Sequence, residues 1–338
     1  MFPLILRRLA FLLAVLVAIT LLTFALLHLT PIDPAQVLAG PRATPAQLDA
    51  LRHRYGLDQP LPVQYLLYLG ALARGDFGIS TLTQRPVGLD LHQYVPATLE
   101  LVVTALIFAT VAGIGLGTLA AAFHGRWIDT VARLVSLSGL AMPVFWLSLL
   151  AQWLFGGVLR WLPSIGQLDI GMAGPPTVTG SYVVDSVLAG RLDLFANACW
   201  HLVLPAIVLG YGVMASITRM MRTGLIEVLG QDYIRTARAK GLKRRIVVVR
   251  HAVRNALFAT LTTIGLQFGG LLGGTILVET IFAWPGIGLY LKQSIVAADY
   301  SPVLGVTIVI ATLYVLANLL VDVGYLAADP RVRLTSGK

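Results

Sequence analysis

The residues most able to take part in chemistry are cations that crowd into one stretch of the chain, residues 219–254. They are Arg219, Arg222, Arg235, Arg238, Lys240, Lys243, Arg244, Arg245, Arg250 and Arg254. Among them stand only Glu227 and Asp232 as carboxylates. Such a set favours electrostatic docking on acidic or polar surfaces, which confers specificity more than affinity. Because Gly230 and Gly241 divide the stretch into short helical runs, we predict a folded element that another protein binds.

No arrangement typical of an enzyme accompanies these cations. The chain has no GxxxxGK[ST] loop and is not expected to bind ATP itself. Its carboxylates in or at the ends of apolar segments, Glu100, Glu279 and Asp322, lack the paired aspartates, serine with a base or HExxH helix of an intramembrane protease. The single cysteine, Cys199, excludes an intrachain disulfide and a four-cysteine zinc site. We therefore predict no catalytic residue, cofactor or metal.

Composition indicates the solvent in which these residues operate. Of 338 residues, 57% are hydrophobic and only 12% are charged, about half the charged share of an average soluble domain. The net charge of +9 comes from cations beside apolar segments, which is the positive-inside pattern of membrane proteins. The sequence therefore predicts an all-α integral membrane protein that contacts lipid, with no nucleic acid as a partner.

Six apolar segments are candidate transmembrane helices. They cover residues 9–28, 98–123, 135–159, 202–216, 256–278 and 303–326. The first has about 20 residues, enough to cross the hydrocarbon layer, and it lacks the cleavage site of a signal peptide. Since the loop between the fourth and fifth segments carries the basic stretch, we place that loop and both termini in the cytoplasm.

The first long segment outside the membrane is predicted to contain two short helices. Thr44 followed by Pro45 resembles a helix cap with proline at the first helical position, and Pro62 opens a second amphipathic run over residues 63–73. The second such segment, residues 163–194, is rich in Gly and Pro and is interpreted as an ordered loop.

A family resemblance begins in the basic stretch. The run Asp232-Tyr-Ile-Arg-Thr-Ala-Arg-Ala-Lys-Gly-Leu resembles the cytoplasmic coupling motif of ABC importer permeases. More narrowly, the chain is similar to the B-type permease subunit of the dipeptide, oligopeptide and nickel importers. The likeness extends to Gly75-Asp-Phe-Gly-Ile-Ser, Pro96-Ala-Thr-Leu-Glu, Met142-Pro-Val-Phe-Trp, Leu204-Pro-Ala-Ile-Val-Leu-Gly and Glu279-Thr-Ile-Phe-Ala-Trp-Pro-Gly.

The resemblance implies a fold, a function and partners. The fold is the type I ABC importer (MetI-like) permease fold with six transmembrane helices. The function is import of dipeptides or oligopeptides across the bacterial inner membrane, and a nickel chelate or another small solute is the alternative within the family. The partners are a homologous C-type permease, two cytoplasmic ABC ATPases that hydrolyse ATP, and a periplasmic substrate-binding protein. An ion-driven secondary carrier, the alternative from another class, would usually show internal repeats.

The resemblance also implies which residues couple to the ATPase. They are Asp232, Tyr233, Arg235, Thr236, Ala237, Arg238, Ala239, Lys240 and Gly241. Ala237 and Ala239 give a slim helix surface that fits a groove, and glycine at each end permits a sharp turn. The chain departs from the general motif twice. Arg235-Thr-Ala replaces Glu-Ala-Ala, and Phe258-Ala replaces Leu-Pro at the next helix, so no kink is expected there.

Candidates for the pore or a gate lie in the fifth segment. Gly265, Gly269 and Gly273 recur every four residues and allow close helix contacts in lipid. This face lines the translocation path or packs on the partner permease, or it makes an internal contact. Glu279 contacts a substrate amine or closes an outer gate, or it caps the turn that follows or pairs with a neighbouring helix. Prolines at Met142-Pro and Leu204-Pro are either hinges or static kinks.

The resulting domain organisation has four parts. They are an N-terminal transmembrane helix at 1–30, a periplasmic segment with short helices at 31–97, a core permease domain at 98–326 and a cytoplasmic tail at 327–338. The core contains five transmembrane helices, the coupling loop 219–254 and a periplasmic loop 160–199.

Overall fold

The structure, a computed structural model, describes residues 2–29, 35–36 and 43–328. The helices are α1 Phe2–Leu29, α2 Pro45–Tyr55, α3 Leu61–Ala73, α4 Val87–Ala122, α5 Trp127–Ala141, α6 Val144–Ala151, α7 Tyr182–Leu188, α8 Leu192–Leu229, α9 Asp232–Ala239, α10 Arg244–Ile246, α11 Arg254–Ile281, α12 Ile287–Val296 and α13 Tyr300–Ala328. π-Helical turns at Gln152–Val158 and Val247–Val253 follow α6 and precede α11. The described residues contain no strand beyond an isolated bridge between Ile79 and Pro86, so the all-α class is confirmed.

Four described helices are long and apolar enough to cross a membrane, and the bent pair α5–α6 is a fifth if it forms one span. The four are α4, α8, Thr260–Ile281 of α11 and Tyr300–Leu319 of α13. The predicted first span, 9–28, lies within the 28-residue helix α1, whose shorter apolar run is Leu13–Ala25. The count of six remains a prediction. The Asp322 side chain and residues 329–338 of the predicted tail lie outside the described part of the chain.

The predicted span 135–159 is not one continuous helix. The α5 helix ends at Ala141, α6 begins at Val144, and the two are bent by 110°. Proline lacks an N–H and disfavours helical backbone in the residue before it, and Met142 is accordingly extended at φ −84° and ψ 126°. Gln152 then donates hydrogen bonds to the Ser164 and Ile281 carbonyls at 2.8 and 3.1 Å, which fixes the end of this segment.

Other helices extend beyond the apolar segments predicted from the sequence. Pro205 lies within α8 without ending it, and this helix continues for 38 residues to Leu229. The α11 helix runs unbroken from Arg254 through positions 258 and 259, as expected without a proline there.

The described chain divides into two compact units, of which the first is Met1–Thr98, Thr177–Ser181 and Pro285–Leu316. The predicted cap is confirmed there, because Thr44 and Gln47 form a reciprocal capping box with Pro45 in the first turn of α2. Two side-chain hydrogen bonds join segments of this unit that are distant in sequence. The Tyr290 hydroxyl donates to buried Asp90 at 2.9 Å, and the Ser80 hydroxyl donates to buried Asp299 at 2.6 Å.

The second unit is Leu99–Pro176, Tyr182–Trp284 and Ala317–Lys338, and α8 is its central helix. The α4 helix packs closely against α8 because Gly113 and Gly117 of α4 have no side chain. A Cβ built at Gly113 would lie 2.8 Å from Ile217, and one built at Gly117 would lie 2.7 Å from Met221. Such close approach of backbones is how helices gain packing energy in lipid. The Glu100 carboxylate serves the fold here, because it accepts hydrogen bonds from Tyr182 N and Val183 N at the start of α7.

Candidate coupling site

The helix α9 is a separate short helix within the basic stretch, as predicted. Residue 231 is extended and starts α9, whose first turn holds Asp232 and whose last turn holds Arg238. These charges oppose the helix dipole and stabilise both ends. Gly230 was expected to provide a sharp turn, but its φ of −83° suits any residue, so the left-handed requirement belongs to the other end of α9.

That other end is closed by Gly241, whose φ is +78°. Its N–H donates to the Arg238 carbonyl at 2.9 Å, and Leu242 N follows with a longer bond to Ala237 at 3.4 Å. A left-handed residue after the last helical turn satisfies carbonyls that the helix leaves unpaired, and glycine adopts it without strain. No atom lies within 4 Å of a Cβ built at this position, so only the backbone conformation restricts the residue type.

One face of α9 is anchored and the rest is exposed. Ile234 is fully buried in a cluster with Met221, Leu225 and Val247, and Ala237, one turn later, packs against the same cluster. The predicted coupling residues that remain exposed are Asp232, Tyr233, Arg235, Thr236, Arg238, Ala239, Lys240 and Gly241. A short helix held on one side and open on the other has the geometry of a docking element.

Tyr233 links α9 to the beginning of α11. Its hydroxyl accepts a hydrogen bond from Asn255 Nδ2 at 2.7 Å, while its side chain stays 44% exposed. Asn255 also donates to the His251 carbonyl at 3.1 Å. A direct polar contact therefore joins α9 to a long apolar helix. Asn255 lies in the run His251-Ala-Val-Arg-Asn-Ala, which continues the family resemblance, but it was not counted among the predicted coupling residues, because an asparagine at a helix start is ordinary.

An ion-pair cluster that the sequence analysis did not predict joins α8 to the first turn of α5. The Asp129 carboxylate, 1% exposed, accepts two hydrogen bonds from Arg222, from Nε at 2.6 Å and from Nη2 at 2.8 Å. Gly125 N donates to the same carboxylate at 3.0 Å, and Arg133 Nε lies 3.7 Å away. Charge-assisted bidentate hydrogen bonds are stronger than neutral ones, and removing Arg222 would leave the buried Asp129 carboxylate poorly compensated.

The predicted pore and gate residues lie elsewhere on α11. Glu279, in its last turn, is about 35 Å along the helix from Asn255, at 1.5 Å per residue. Its side chain is fully buried. Of the glycine stripe, Gly265 is buried, Gly269 is half-buried and Gly273 is exposed. The structure therefore does not bring these residues together with α9.

An acidic residue of the 160–181 loop is held by two side chains of α8. Asp169 lies 3.1 Å from His201 Nε2 and accepts a hydrogen bond from Asn197 Nδ2 at 2.5 Å. The hydrogen bond with His201, and to a smaller extent that from Asn197, hold the pKa of the Asp169 carboxyl below its ordinary value. Within the described residues no three His, Cys, Asp or Glu side chains are close enough to share a metal ion.

Comparison with known proteins identifies the family. The model of the binding-protein-dependent transport system inner membrane component matches residues 113–334, and the model of its N-terminal region matches residues 1–102. The dipeptide transport system permease protein DppB of Alkalihalophilus pseudofirmus is 43% identical, covering 97% of this chain and 98% of that protein. The di/tripeptide transport system permease protein DppB of Pseudomonas aeruginosa is 45% identical, covering 97% of each.

A solved structure supports the fold. A chain of the MetNI methionine ABC transporter, in an inward-facing conformation, aligns with a TM-score of 0.51 at 18% identity. The alignment covers 71% of this chain and 96% of the MetNI chain. At that identity the likeness concerns the fold alone, and it confirms the predicted MetI-like class. The chain therefore belongs to the family of binding-protein-dependent transport system inner membrane components, as a multi-pass, DppB-like permease of an ABC importer.

Proposed function

We propose that this chain imports dipeptides and short oligopeptides, forming half of a translocation path whose other half is a homologous C-type permease. Two relatives that match nearly the whole chain are named for dipeptide and di/tripeptide transport. Transport of this kind changes no bond in the substrate. ATP hydrolysis belongs to two cytoplasmic ABC ATPases, and a periplasmic binding protein delivers the peptide.

The observation that carries the coupling part of the proposal is the exposure of α9 on a buried anchor. Ile234 and Ala237 fix the helix to the buried cluster formed by the ends of α4 and α8 and by the residues that precede α11, and Arg235 and Arg238 extend from its open side. The two arginines meet acidic or polar rims of the ATPase and select the docking orientation. When the ATPases close on ATP, their motion displaces α9, and Tyr233 passes the displacement to Asn255 at the start of α11.

The same proposal fixes the orientation. The basic stretch 219–254 and both termini lie in the cytoplasm, in keeping with the positive-inside rule. Segments 31–97 and 160–199 then face the periplasm, where the binding protein docks. The domain bounds predicted from the sequence are consistent with this orientation and remain a proposal.

On α11, the glycine stripe is proposed to contact the second permease or line the path. Gly273 is exposed, and within the described residues no atom apart from its neighbours and its own helix backbone lies within 4 Å of a Cβ built there, which leaves room for a contact with another subunit. Glu279 is fully buried near the turn at 282–284. Its burial favours a gate or a packing role over direct contact with a substrate amine.

Uptake by cells lacking the gene tests the substrate. We expect loss of growth on dipeptides as sole nitrogen source, in a strain without a second peptide importer, while nickel-dependent enzyme activities persist. The wild-type gene on a plasmid should restore growth. Normal growth on dipeptides combined with a nickel defect would transfer the assignment to a nickel chelate.

Crosslinking tests the coupling element. In a Cys199→Ser background, Arg238→Cys should crosslink to the ATPase subunit in membranes, because position 238 is on the open side of α9. Gly171→Cys, in the 160–181 loop, is the matched exposed control and should give no product. Crosslinking at 171 and none at 238 would reject the proposed docking surface.

A further inference from the structure

The turn between α4 and α5, residues 123–126, is tied to the chain on both sides of α9. We refer to it as the α4–α5 turn. One tie comes from α8, which precedes α9, and the other comes from the residues that follow α9. The turn itself lies far away in sequence from both, so these contacts have to be long-range.

The tie from α8 is the ion pair of Arg222 with Asp129. Asp129 stands in the first turn of α5, and its carboxylate also accepts from Gly125 N within the α4–α5 turn. His124 Nδ1 lies 3.1 Å from Arg222 Nη2 and 3.2 Å from Asp129 Oδ2. Because the Asp129 side chain is 1% exposed and that of Arg222 is 20% exposed, loss of either partner leaves a charge that water compensates poorly.

The tie after α9 comes from Arg244. Its guanidinium donates to the Ala122 carbonyl, the last residue of α4. The same group lies 5.5 Å from the centroid of the Phe123 ring, within the range of a cation–π interaction. One side chain therefore satisfies an unpaired carbonyl at a helix end and covers an aromatic ring.

A hydrophobic cluster also joins α9 to the end of α4. Ala121, near the end of α4, belongs to the same buried cluster as Ile234 of α9 and Leu225 of α8. The residues that anchor α9 thus contact the helix end from which the α4–α5 turn emerges. Small residues at such a contact allow close packing, and close packing transmits displacement instead of absorbing it.

We propose that α9 and the α4–α5 turn move as one body, and that Arg222 and Asp129 are positioning residues that carry a displacement of α9 into α4 and α5. This inference rests on the proposed role of α9 as the ATPase contact. It adds a second route to the one through Tyr233 and α11. Two long apolar helices, α4 and α11, are then driven from one docking element.

The test measures transport per ATP hydrolysed by the whole importer in proteoliposomes. Asp129→Asn with Arg222→Gln removes both charges together, so that no unpaired charge is buried and the protein still assembles. We expect uptake per ATP to fall by fivefold or more, because coupling between two sites ordinarily amounts to a factor of at least about five. The single variant Arg222→Lys, with Asp129 intact, keeps the charge and loses the bidentate geometry. Its uptake per ATP should lie between that of the wild type and that of the double variant.

Arg126→Gln is the control. It removes one cation from the same turn, and its side chain is exposed, so uptake per ATP should match the wild type. A purely stabilising role of the ion pair would lower the amount of assembled importer and leave uptake per ATP unchanged, and this result would overturn the inference. So would equal losses in the double variant and the control.

The failure of the inference is distinguishable from the failure of the proposed function. If Arg238→Cys crosslinks to the ATPase and the double variant transports normally per ATP, only the ion-pair route is rejected. If Arg238→Cys gives no crosslink, the docking role of α9 is rejected and the ion-pair route falls with it.

Discussion

Replacing Gly241 by valine tests whether the geometry of α9 sets transport. At φ +78°, a residue with a side chain is strained by about 1–3 kcal/mol, and a β-branched one belongs at the upper end. No steric clash adds to this, because no atom lies within 4 Å of the new Cβ. The anchor Ile234 contributes about 2 kcal/mol by burial. The two energies are comparable, so α9 should shift while the membrane helices stay folded.

The assay is uptake of a radiolabelled dipeptide by the reconstituted importer, with ATP hydrolysis measured in parallel. Both should fall together for Gly241→Val by about fivefold or more, at an unchanged level of assembled complex. Gly241→Asn should retain most activity, because asparagine tolerates the left-handed region, and Gly241→Ala should be intermediate.

Gly190→Val is the matched control. Gly190 follows the short helix α7, its φ is +66°, and no atom lies within 4 Å of a Cβ there. The backbone strain is equal, but α9 is not involved, so transport should persist. Normal uptake by Gly241→Val, or an equal loss in Gly190→Val, would refute the reasoning.

Three further predictions concern the anchor, the orientation and the outer loop. Ile234→Ala should cost about 2–5 kcal/mol locally, seen as faster hydrogen exchange over 232–239, whereas Thr236→Ala, at an exposed position, should leave exchange unchanged. In a Cys199→Ser background, an impermeant thiol reagent should label Pro176→Cys but not Lys243→Cys in intact cells, and the reverse pattern would contradict the proposed topology. Since contacts from His201 and Asn197 lower the pKa of Asp169, their stabilising effect is present above about pH 4, the ordinary aspartate value, and is lost as the pH falls through the lowered pKa. Hydrogen exchange of the 160–181 loop should rise at that acidic limit, and Asp169→Asn should abolish the dependence on pH.

The sequence predicted the long apolar helices and α9 because each has a strong local signal. Apolar runs of about 20 residues are evident from composition, and Gly241 ends a helix through its own backbone freedom. The cap at Thr44 was also predictable, since capping depends on residues three positions apart. Local chemistry therefore gave most of the secondary structure and one side of the candidate site.

The missing parts depend on long-range contacts. The 110° bend at Pro143 could not be predicted without knowing which residues pack against the broken helix. A proline alone does not predict a break, because Pro205 lies within an unbroken helix. Likewise, Asp129 and Arg222 are 93 positions apart. Nothing in either neighbourhood indicates that this carboxylate, among several in the loops, is the one that becomes buried.

The distance along the chain between Asp129 and Arg222 has a consequence for biogenesis. The ribosome completes α4 and α5 before α8, so a nascent chain holds Asp129 for some time without its arginine. One partner of a buried ion pair is costly without the other, so the Asp129 carboxylate should stay hydrated and the start of α5 should remain unpacked until α8 arrives. The glycines of α4, by contrast, carry no side-chain charge that needs a partner before α8 is made. A chain truncated between α5 and Arg222 is therefore expected to be a substrate for membrane proteases, and one that extends past Arg222 is expected to be more resistant.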